Sequence, residues 1–135
     1  MPRTIPDILK DHILPFDWDV RKVWALDAPA VPVSCAEFAY LLELPLWSSV
    51  AKRGMLFDIR PLDVIRDPGV SDYQARRLRE ADLHHPIDVL LLAERRWILD
   101  GVHRIARHVA LGSPTLFARF HDASVIPAIR RHADA

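Results

Sequence analysis

The clearest hydrophobic pattern in the chain spans residues 97–112, where a short apolar segment reaches Asp100-Gly101 and helical spacing begins. Apolar side chains then recur every three or four positions, at Val102, Ile105, Ala106, Val109 and Ala110. Asp100 precedes the first helical residue, so we predict that it caps the helix by accepting a hydrogen bond from a first-turn amide. Gly112 follows the last apolar position and predicts a left-handed C-cap.

Two further segments have the character of β-strands. Residues 87–93 form a nearly continuous apolar run, which predicts a central strand buried on both faces. The polar residues 94–96 predict a turn, so residues 97–99 return antiparallel as a hairpin. Alternation predicts another strand at residues 116–121. With helices between them, these segments predict an α+β fold, a small mixed β-sheet with packed helices.

Two stretches with a serine followed three residues later by Glu or Gln predict helix starts. Residues 34–37 open a helix that ends before Pro45, and residues 71–74 open one that reaches about residue 82. In the second helix the predicted buried positions are Tyr73, Leu78 and Ala81. Its arginines predict a solvated basic face, made by Arg76, Arg77 and Arg79.

The remaining segments carry weaker patterns. We predict a short strand at residues 21–26, a proline-rich connection at 28–32 and a strand at 55–59. A last helix is predicted at 123–131, with Asp122 as its cap and Pro127 in its first turn.

Composition narrows the class of protein. The chain has 135 residues, half of them hydrophobic, and no formal net charge, which predicts one folded domain rather than a disordered or strongly basic chain. Nucleic acid is therefore not an expected partner. The single cysteine, Cys35, cannot form an internal disulfide and fits a reducing compartment. Without a membrane-length apolar run or a signal-peptide pattern, the chain is predicted to be cytoplasmic and independent of membranes.

The first turn of the helix after Gly101 has an unusual charge. His103 and Arg104 stand where the helix dipole is positive, so cations are disfavoured there unless an anion binds. This favours a phosphate or carboxylate site. The alternative is that Arg104 simply pairs with Asp100 or another carboxylate.

Several familiar motifs are missing from the sequence. It contains no glycine-rich phosphate loop, no dinucleotide glycine pattern and no Cys/His spacing typical of zinc, so no metal site is predicted. One alternative is a metal held by four scattered histidines, His84, His85, His103 and His108. Cys35 lies in a predicted first turn, where a thiolate can be stabilised, although a small half-buried residue is the simpler interpretation.

The order of elements over residues 55–121 resembles the ParB N-terminal/sulfiredoxin-like superfamily. The matching features are a helix, His85-Pro86-Ile87, an apolar strand, a hairpin, the run from Leu99 to Arg104 and a helix that ends in glycine. Residues 1–54 resemble no family and are predicted to be a family-specific extension packed on the domain formed by residues 55–135, in one compact domain.

The resemblance implies that the turn and helix start bind the phosphates of a nucleotide. The residues it implicates are Gly101, Val102, His103 and Arg104, with Pro86 beside them. Sulfiredoxins carry a catalytic cysteine where this chain has Val102, so the reduction of sulfinic acids is not expected. The Asp-Gly-x-His-Arg form is most similar to free serine kinases, which phosphorylate a small hydroxyl substrate.

A kinase of that type needs a carboxylate as general base. The sequence leaves four candidates open, Glu80, Asp82, Asp58 and Asp63, and we take Glu80 with Asp100 and His103 as the catalytic set. The expected ligands are ATP, ADP or CTP, or another phosphorylated small molecule, with Mg²⁺ as an optional companion.

Two other functions remain open from sequence. One is a non-enzymatic regulatory or protein-interaction module in which the motif only stabilises the turn. The other is a nucleic-acid binder that uses Arg76, Arg77, Arg79, Arg95 and Arg96. The sequence also leaves open whether the protein is a homodimer.

Overall fold

A computed structural model describes residues 7–9, 11–12, 14, 16–50 and 57–131. In this part of the chain the helices are α1 (Val20–Trp24), α2 (Pro61–Arg66), α3 (Asp72–Glu80), α4 (Val102–Ala110) and α5 (Ile126–Ile129). The strands are β1 (Ala30–Ser34), β2 (Ile87–Leu92), β3 (Arg95–Asp100) and β4 (Thr115–Asp122). Short 3₁₀ helices occupy Asp7–Leu9, Cys35–Glu37, Ala39–Glu43, Pro68–Val70 and Ala123–Val125.

The four strands form one mixed sheet in the order β1-β4-β2-β3. The pairs β1/β4 and β2/β3 are antiparallel, and β2 runs parallel to β4. The predicted α+β class with a small mixed sheet is therefore confirmed.

The predicted hairpin is also confirmed, but its turn lies earlier than expected. Ala93 and Glu94 have φ values of 54° and 61°, which is the positive-φ pair of a two-residue hairpin turn. Arg95 and Arg96, predicted as turn residues, belong to β3.

Strand β2 separates two hydrophobic cores, as its continuous apolar run predicted. Ile87 and Val89 face the larger core, where they meet the 3₁₀ segment of residues 35–43, α2, α3 and α4. Leu90 faces the smaller core with Val23 of α1 and Ile129 of α5. Strand β2 therefore has a core on each face, whereas Phe117 of β4 stays 56% exposed near the β1 edge of the sheet.

Two predictions for the N-terminal part are wrong. Residues 21–26 lie mostly in α1, because Asp19 accepts a hydrogen bond from the Arg21 amide and starts a helix. The proline-rich connection at 28–32 overlaps β1, which pairs with β4. Pro32 is tolerated there because β1 lies at the sheet edge.

Several helices differ from their predicted form. Ser34 and Glu37 make the predicted capping box, but two 3₁₀ helices follow instead of one α-helix. Helix α3 buries Gln74 and Ala75, whereas the predicted Tyr73, Leu78 and Ala81 are only half-buried. The last helix is the four-residue α5, which Asp122 does not cap, with Pro127 in its first turn as predicted.

Cys35 is a buried core residue, and burial raises the pKa of its thiol, so the thiolate is not stabilised.

The N-terminal part is joined to the rest through the sheet and a bridge between Trp47 and Ile59. Of the strand predicted at 55–59, residues 55 and 56 lie outside the described residues, and the boundary at 54/55 stays a prediction. No helix in the described ranges is long and apolar enough to cross a membrane.

Candidate functional site

The turn between β3 and α4 depends on Gly101. Its φ is 120°, and a Cβ there would lie 2.6 Å from Cγ2 of Ile87. Only glycine fits such a conformation and such a close approach. Gly101 therefore holds the start of α4 against the beginning of β2.

Asp100 does not cap α4, contrary to the prediction. Gly101 is the N-cap residue, and no side chain caps this helix. The Oδ2 atom of Asp100 instead accepts hydrogen bonds from Nε1 of Trp24, at 2.8 Å, and from Nη1 of Arg104, at 3.3 Å. By contrast, α1 and α3 are capped by Asp19 and Ser71. The first amides of α4 are consequently left without a side-chain acceptor.

Trp24 reaches Asp100 because Arg119 of β4 holds the end of α1. The Arg119 guanidinium donates to the carbonyl oxygens of Val23 and Leu26, at 2.9 and 2.8 Å, and its Nε donates to buried Asp88 at 2.8 Å. Cations at a helix C-terminus are favourable. These hydrogen bonds hold α1 against the sheet beside the turn between β3 and α4.

Arg104 forms the pairing that the sequence left as an alternative. Its Nη1 donates to the Pro86 carbonyl at 3.0 Å as well as to Asp100. Both hydrogen bonds that Arg104 makes within the described residues come from Nη1, so its Nε and Nη2 atoms are not used there. These two nitrogens form one edge of the guanidinium, which can still bind an oxyanion side-on.

His103 is not a cation, although the sequence suggested one. Its Nε2 lies 2.7 Å from Oε1 of Gln74, an acceptor, and its ring stacks on Trp47 with centroids 4.3 Å apart. Burial, followed by the nearby Arg77 and Arg104, lowers the pKa of His103 from 6.5 to about 3. The imidazole is therefore neutral, and its Nε2–H donates a hydrogen bond to Oε1 of Gln74.

Gln74 fixes this arrangement from α3. Its side-chain nitrogen donates to the Ser48 carbonyl at 2.7 Å, so it does not return to Ser71 as the predicted capping box required. Ser71 Oγ still accepts the Gln74 amide. Buried Gln74 thus links His103 to the segment that carries Trp47.

A cavity of about 300 Å³, which we call the helix-start cavity, opens at the first turn of α4. Its walls include Arg77, Glu80, Asp82, Asp100, Gly101 and Arg104. With His103 neutral, two arginines face three carboxylates. Glu80, one of the predicted catalytic residues, is an exposed wall residue at the end of α3.

The other general-base candidates are engaged with other groups. Asp58 accepts from the amide and hydroxyl of Ser49, at 2.7 and 2.6 Å. Asp63 pairs with Arg60, which lowers the pKa of that carboxyl. Hydrogen bonds from His84 lower the pKa of Asp82. Of the carboxylates that line the helix-start cavity, Glu80 and Asp100 are therefore the two for which a catalytic role stays predicted.

A larger cavity of about 680 Å³, which we call the aromatic cavity, adjoins the first. Its walls include Trp18, Trp47, Tyr73 and Trp97. The two cavities share four wall residues, Arg77, Asp100, Gly101 and His103. Together they form a cleft with one charged end and one aromatic end.

Pro86 takes part in the site through its carbonyl bond to Arg104, and it also lines a third cavity of about 430 Å³ with Trp24, Asp88 and Arg119. The four histidines of the metal alternative are not brought together. His84 and His85 contact Asp82, and within the described ranges no group of three or more His, Cys, Asp or Glu side chains is arranged to hold a metal.

Sequence reasoning missed two residues of the cleft. Arg77 was interpreted as part of a solvated face or of a nucleic-acid-binding surface. It is exposed, as predicted for a solvated face, but it also lies where the two cavities meet. Trp47 lies in a segment without a clear pattern. Its stack on His103, 56 positions later, could not be predicted from the neighbouring residues.

No protein-family model, curated protein or solved structure matches this chain. The resemblance to the ParB N-terminal/sulfiredoxin-like superfamily therefore stays a prediction.

Proposed function

We propose that this protein binds a phosphorylated small molecule, with a phosphate at the start of α4. The observation that carries the proposal is the uncapped N-terminus of α4, which opens into the helix-start cavity. Unpaired amides and the helix dipole attract an anion at such a position. The unused edge of Arg104 and the exposed Arg77 add charge-assisted donors.

Charge balance favours a phosphate that arrives with a divalent cation. Three carboxylates against two arginines would repel a bare polyphosphate. Mg²⁺ is commonly held by one or two carboxylates together with substrate phosphates. Asp100 suits this role because both of its hydrogen bonds go to Oδ2, which leaves Oδ1 to face a ligand.

The finer parts of the proposal rest on the resemblance. They are membership of the ParB N-terminal/sulfiredoxin-like superfamily, ATP, ADP or CTP as the nucleotide, and phosphate transfer to a small hydroxyl substrate with Glu80 as base. A cytoplasmic location, which the composition predicted, and a homodimer, which the sequence left open, belong to the proposal independently of the resemblance. His103 enters this scheme as a neutral positioning residue for Trp47 and Gln74 rather than as a phosphate-binding cation.

A binding comparison tests the proposal. Pyrophosphate and nucleoside diphosphates, each with and without Mg²⁺, are titrated by calorimetry into the intact chain, Arg77→Gln and Arg79→Gln. The two variants are matched because both arginines are exposed on α3, but only Arg77 lines the cavities. We expect Arg77→Gln to weaken binding at least about tenfold, which is typical for a charge-assisted hydrogen bond. Arg79→Gln should bind like the intact chain.

Equal losses in both variants would mean that diffuse positive charge, not this site, attracts the ligand. A complete absence of binding in the intact chain, with and without Mg²⁺, would end the proposal.

A further inference from the structure

The third cavity, of about 430 Å³, lies between the end of α1 and the starts of β2 and α4, and we call it the Trp24 cavity. Its walls are formed by Trp24, His85, Pro86, Asp88, Arg104 and Arg119. The volume lies within the range of small-molecule sites, about 300–1,000 Å³. Arg104 also lines the helix-start cavity, whereas the other five residues do not, so the proposed phosphate does not fill this space.

The charge of this wall is opposite to that of the helix-start cavity. Two guanidiniums, of Arg104 and Arg119, face a single carboxylate, that of Asp88. Asp88 is buried, and its Oδ1 accepts from Nε of Arg119 and lies 2.8 Å from Nε2 of His121. Because Arg119 balances this carboxylate, positive charge is in excess among the wall residues. The Trp24 cavity therefore favours an anion that arrives without a metal ion.

Arg104 supplies the donors for such an anion. Both of its hydrogen bonds, to the Pro86 carbonyl and to Asp100, come from Nη1 and hold the side chain in place. The edge formed by Nε and Nη2 presents two parallel N–H groups, which match the two oxygens of a carboxylate. Because the side chain is already ordered, binding costs little conformational entropy.

The rest of the wall offers a flat apolar surface. Trp24 donates its indole N–H to Asp100 at 2.8 Å, which fixes the ring, yet the residue stays 55% exposed. Pro86 lines the same cavity. An exposed indole that is held in one orientation can stack on a flat ligand.

We infer that the Trp24 cavity binds a small carboxylic acid with a flat apolar body, its carboxylate on Nε and Nη2 of Arg104 and its body against Trp24. The inference goes beyond the proposed function, because it needs neither a phosphate nor Mg²⁺. Arg104 is the residue at which the two sites meet, so its free edge serves one oxyanion at a time.

The first test compares three probes on the intact ¹⁵N-labelled chain without Mg²⁺, by NMR of the amide and indole N–H groups. The probes are benzoate, benzamide, which keeps the flat body without the charge, and acetate, which keeps the carboxylate without the body. We expect benzoate to bind at least about tenfold more tightly than benzamide. It should also bind about 2- to 12-fold more tightly than acetate and shift the indole N–H of Trp24.

The second test changes the stacking surface. Trp24→Ala should weaken benzoate about 2- to 12-fold and leave acetate unchanged, whereas Trp24→Phe, which keeps a ring but loses the bond to Asp100, should retain most of the affinity. Phe117→Ala is the matched control, because Phe117 is 56% exposed but does not line the cavity. It should bind benzoate like the intact chain.

The third test changes the donor edge. Arg104→Lys keeps the charge but loses the pair of parallel N–H groups, and should weaken benzoate at least about tenfold. Arg107→Lys is the matched control on the same helix, since Arg107 donates to the Ala81 carbonyl and lies outside the Trp24 cavity. It should leave benzoate binding unchanged.

The outcomes separate the inference from the proposed function. Benzoate that binds no more tightly than benzamide, or equal losses in a variant and its control, would overturn the inference. Pyrophosphate binding without benzoate binding ends the inference alone, and the reverse result ends the proposed function alone. If Trp24→Ala or Arg104→Lys does not fold, the three probes and the Trp24 indole signal of the intact chain still decide.

Discussion

At the scale of single residues, His103 shows how burial changes the role that a side chain can take. The same imidazole that looked like a phosphate-binding cation in the sequence is half-buried between Trp47 and Gln74. Its charged form would lose hydration and face two arginines. Its function in the site is to hold other groups in position.

This burial predicts a dependence of stability on pH. The folded pKa of His103 is about 3 and the unfolded value is 6.5, so between these values the unfolded state binds a proton that the folded state does not. Stability is therefore present above pH 6.5 and is lost as pH falls towards 3, by up to about 1.4 kcal/mol per pH unit. His103→Gln, measured by urea unfolding at pH 4.5–7.5, should flatten this slope.

The control is His84→Gln, since the His84 side chain is 99% exposed. It should leave the slope close to that of the unchanged protein. A His103→Gln slope as steep as that of the control would contradict the burial argument.

Asp100 shows that a local sequence pattern cannot predict a side chain's distant hydrogen-bond partner. The pattern of an aspartate before a helix predicts a cap, and that pattern is local. The partner that decides the matter, Trp24, is 76 positions away and reaches Asp100 only because α1 packs beside the turn. The sequence correctly placed the turn and the helix, but it could not show which contact the carboxylate makes.

At the scale of secondary structure elements, the start and the end of α4 both rely on glycine, for different reasons. Gly101 has positive φ and touches Ile87, whereas Gly112 has φ of 72° and a Cβ added there would meet nothing within 4 Å. Gly112→Ala should lower the free energy of unfolding by about 1–2 kcal/mol, the cost of left-handed backbone.

Gly101→Ala should cost about 1–3 kcal/mol more than Gly112→Ala, because its methyl group overpacks against β2. Chemical unfolding of the two variants, side by side, measures the difference. Equal losses would show that Ile87 does not constrain the turn.

The elements that the sequence predicted are those with strong local patterns. The apolar run of β2, the alternation of β4, the serine-led start of α3 and the helical period of α4 identified these elements within a few residues. Among the errors, those on α1 and β1 have a clear cause: the Asp19 side chain caps a helix where a strand was predicted, and Pro32 lies in a strand at the sheet edge. A proline argues against a strand unless the strand is known to lie at a sheet edge, and edge position is a property of the whole sheet.

At the scale of the whole molecule, the described residues between positions 7 and 50 contribute to both cores and to the sheet. They supply β1, the core residues Phe38 and Leu42, and Trp47 of the cleft. Trp18 donates to the Leu99 carbonyl at the end of β3. This segment therefore completes the fold and the aromatic cavity.

A chain that begins at residue 55 should accordingly lose cooperative unfolding. It would expose the edge of β4 and the apolar face that the 3₁₀ segment covers. Circular dichroism during thermal unfolding checks this. A sigmoidal transition in the fragment close to that of the full chain would show that the predicted domain 55–135 stands alone.

The central claim is that a phosphate binds at the uncapped start of α4, and backbone amide NMR tests it directly. Pyrophosphate with Mg²⁺ is titrated into the ¹⁵N-labelled full chain. We predict that the amides of Val102, His103 and Arg104 shift together and saturate with one dissociation constant, while the first-turn amides of α1, which Asp19 caps, stay in place. Unchanged amides at residues 102–104 at saturating pyrophosphate, or equal shifts at both helix starts, would contradict the account.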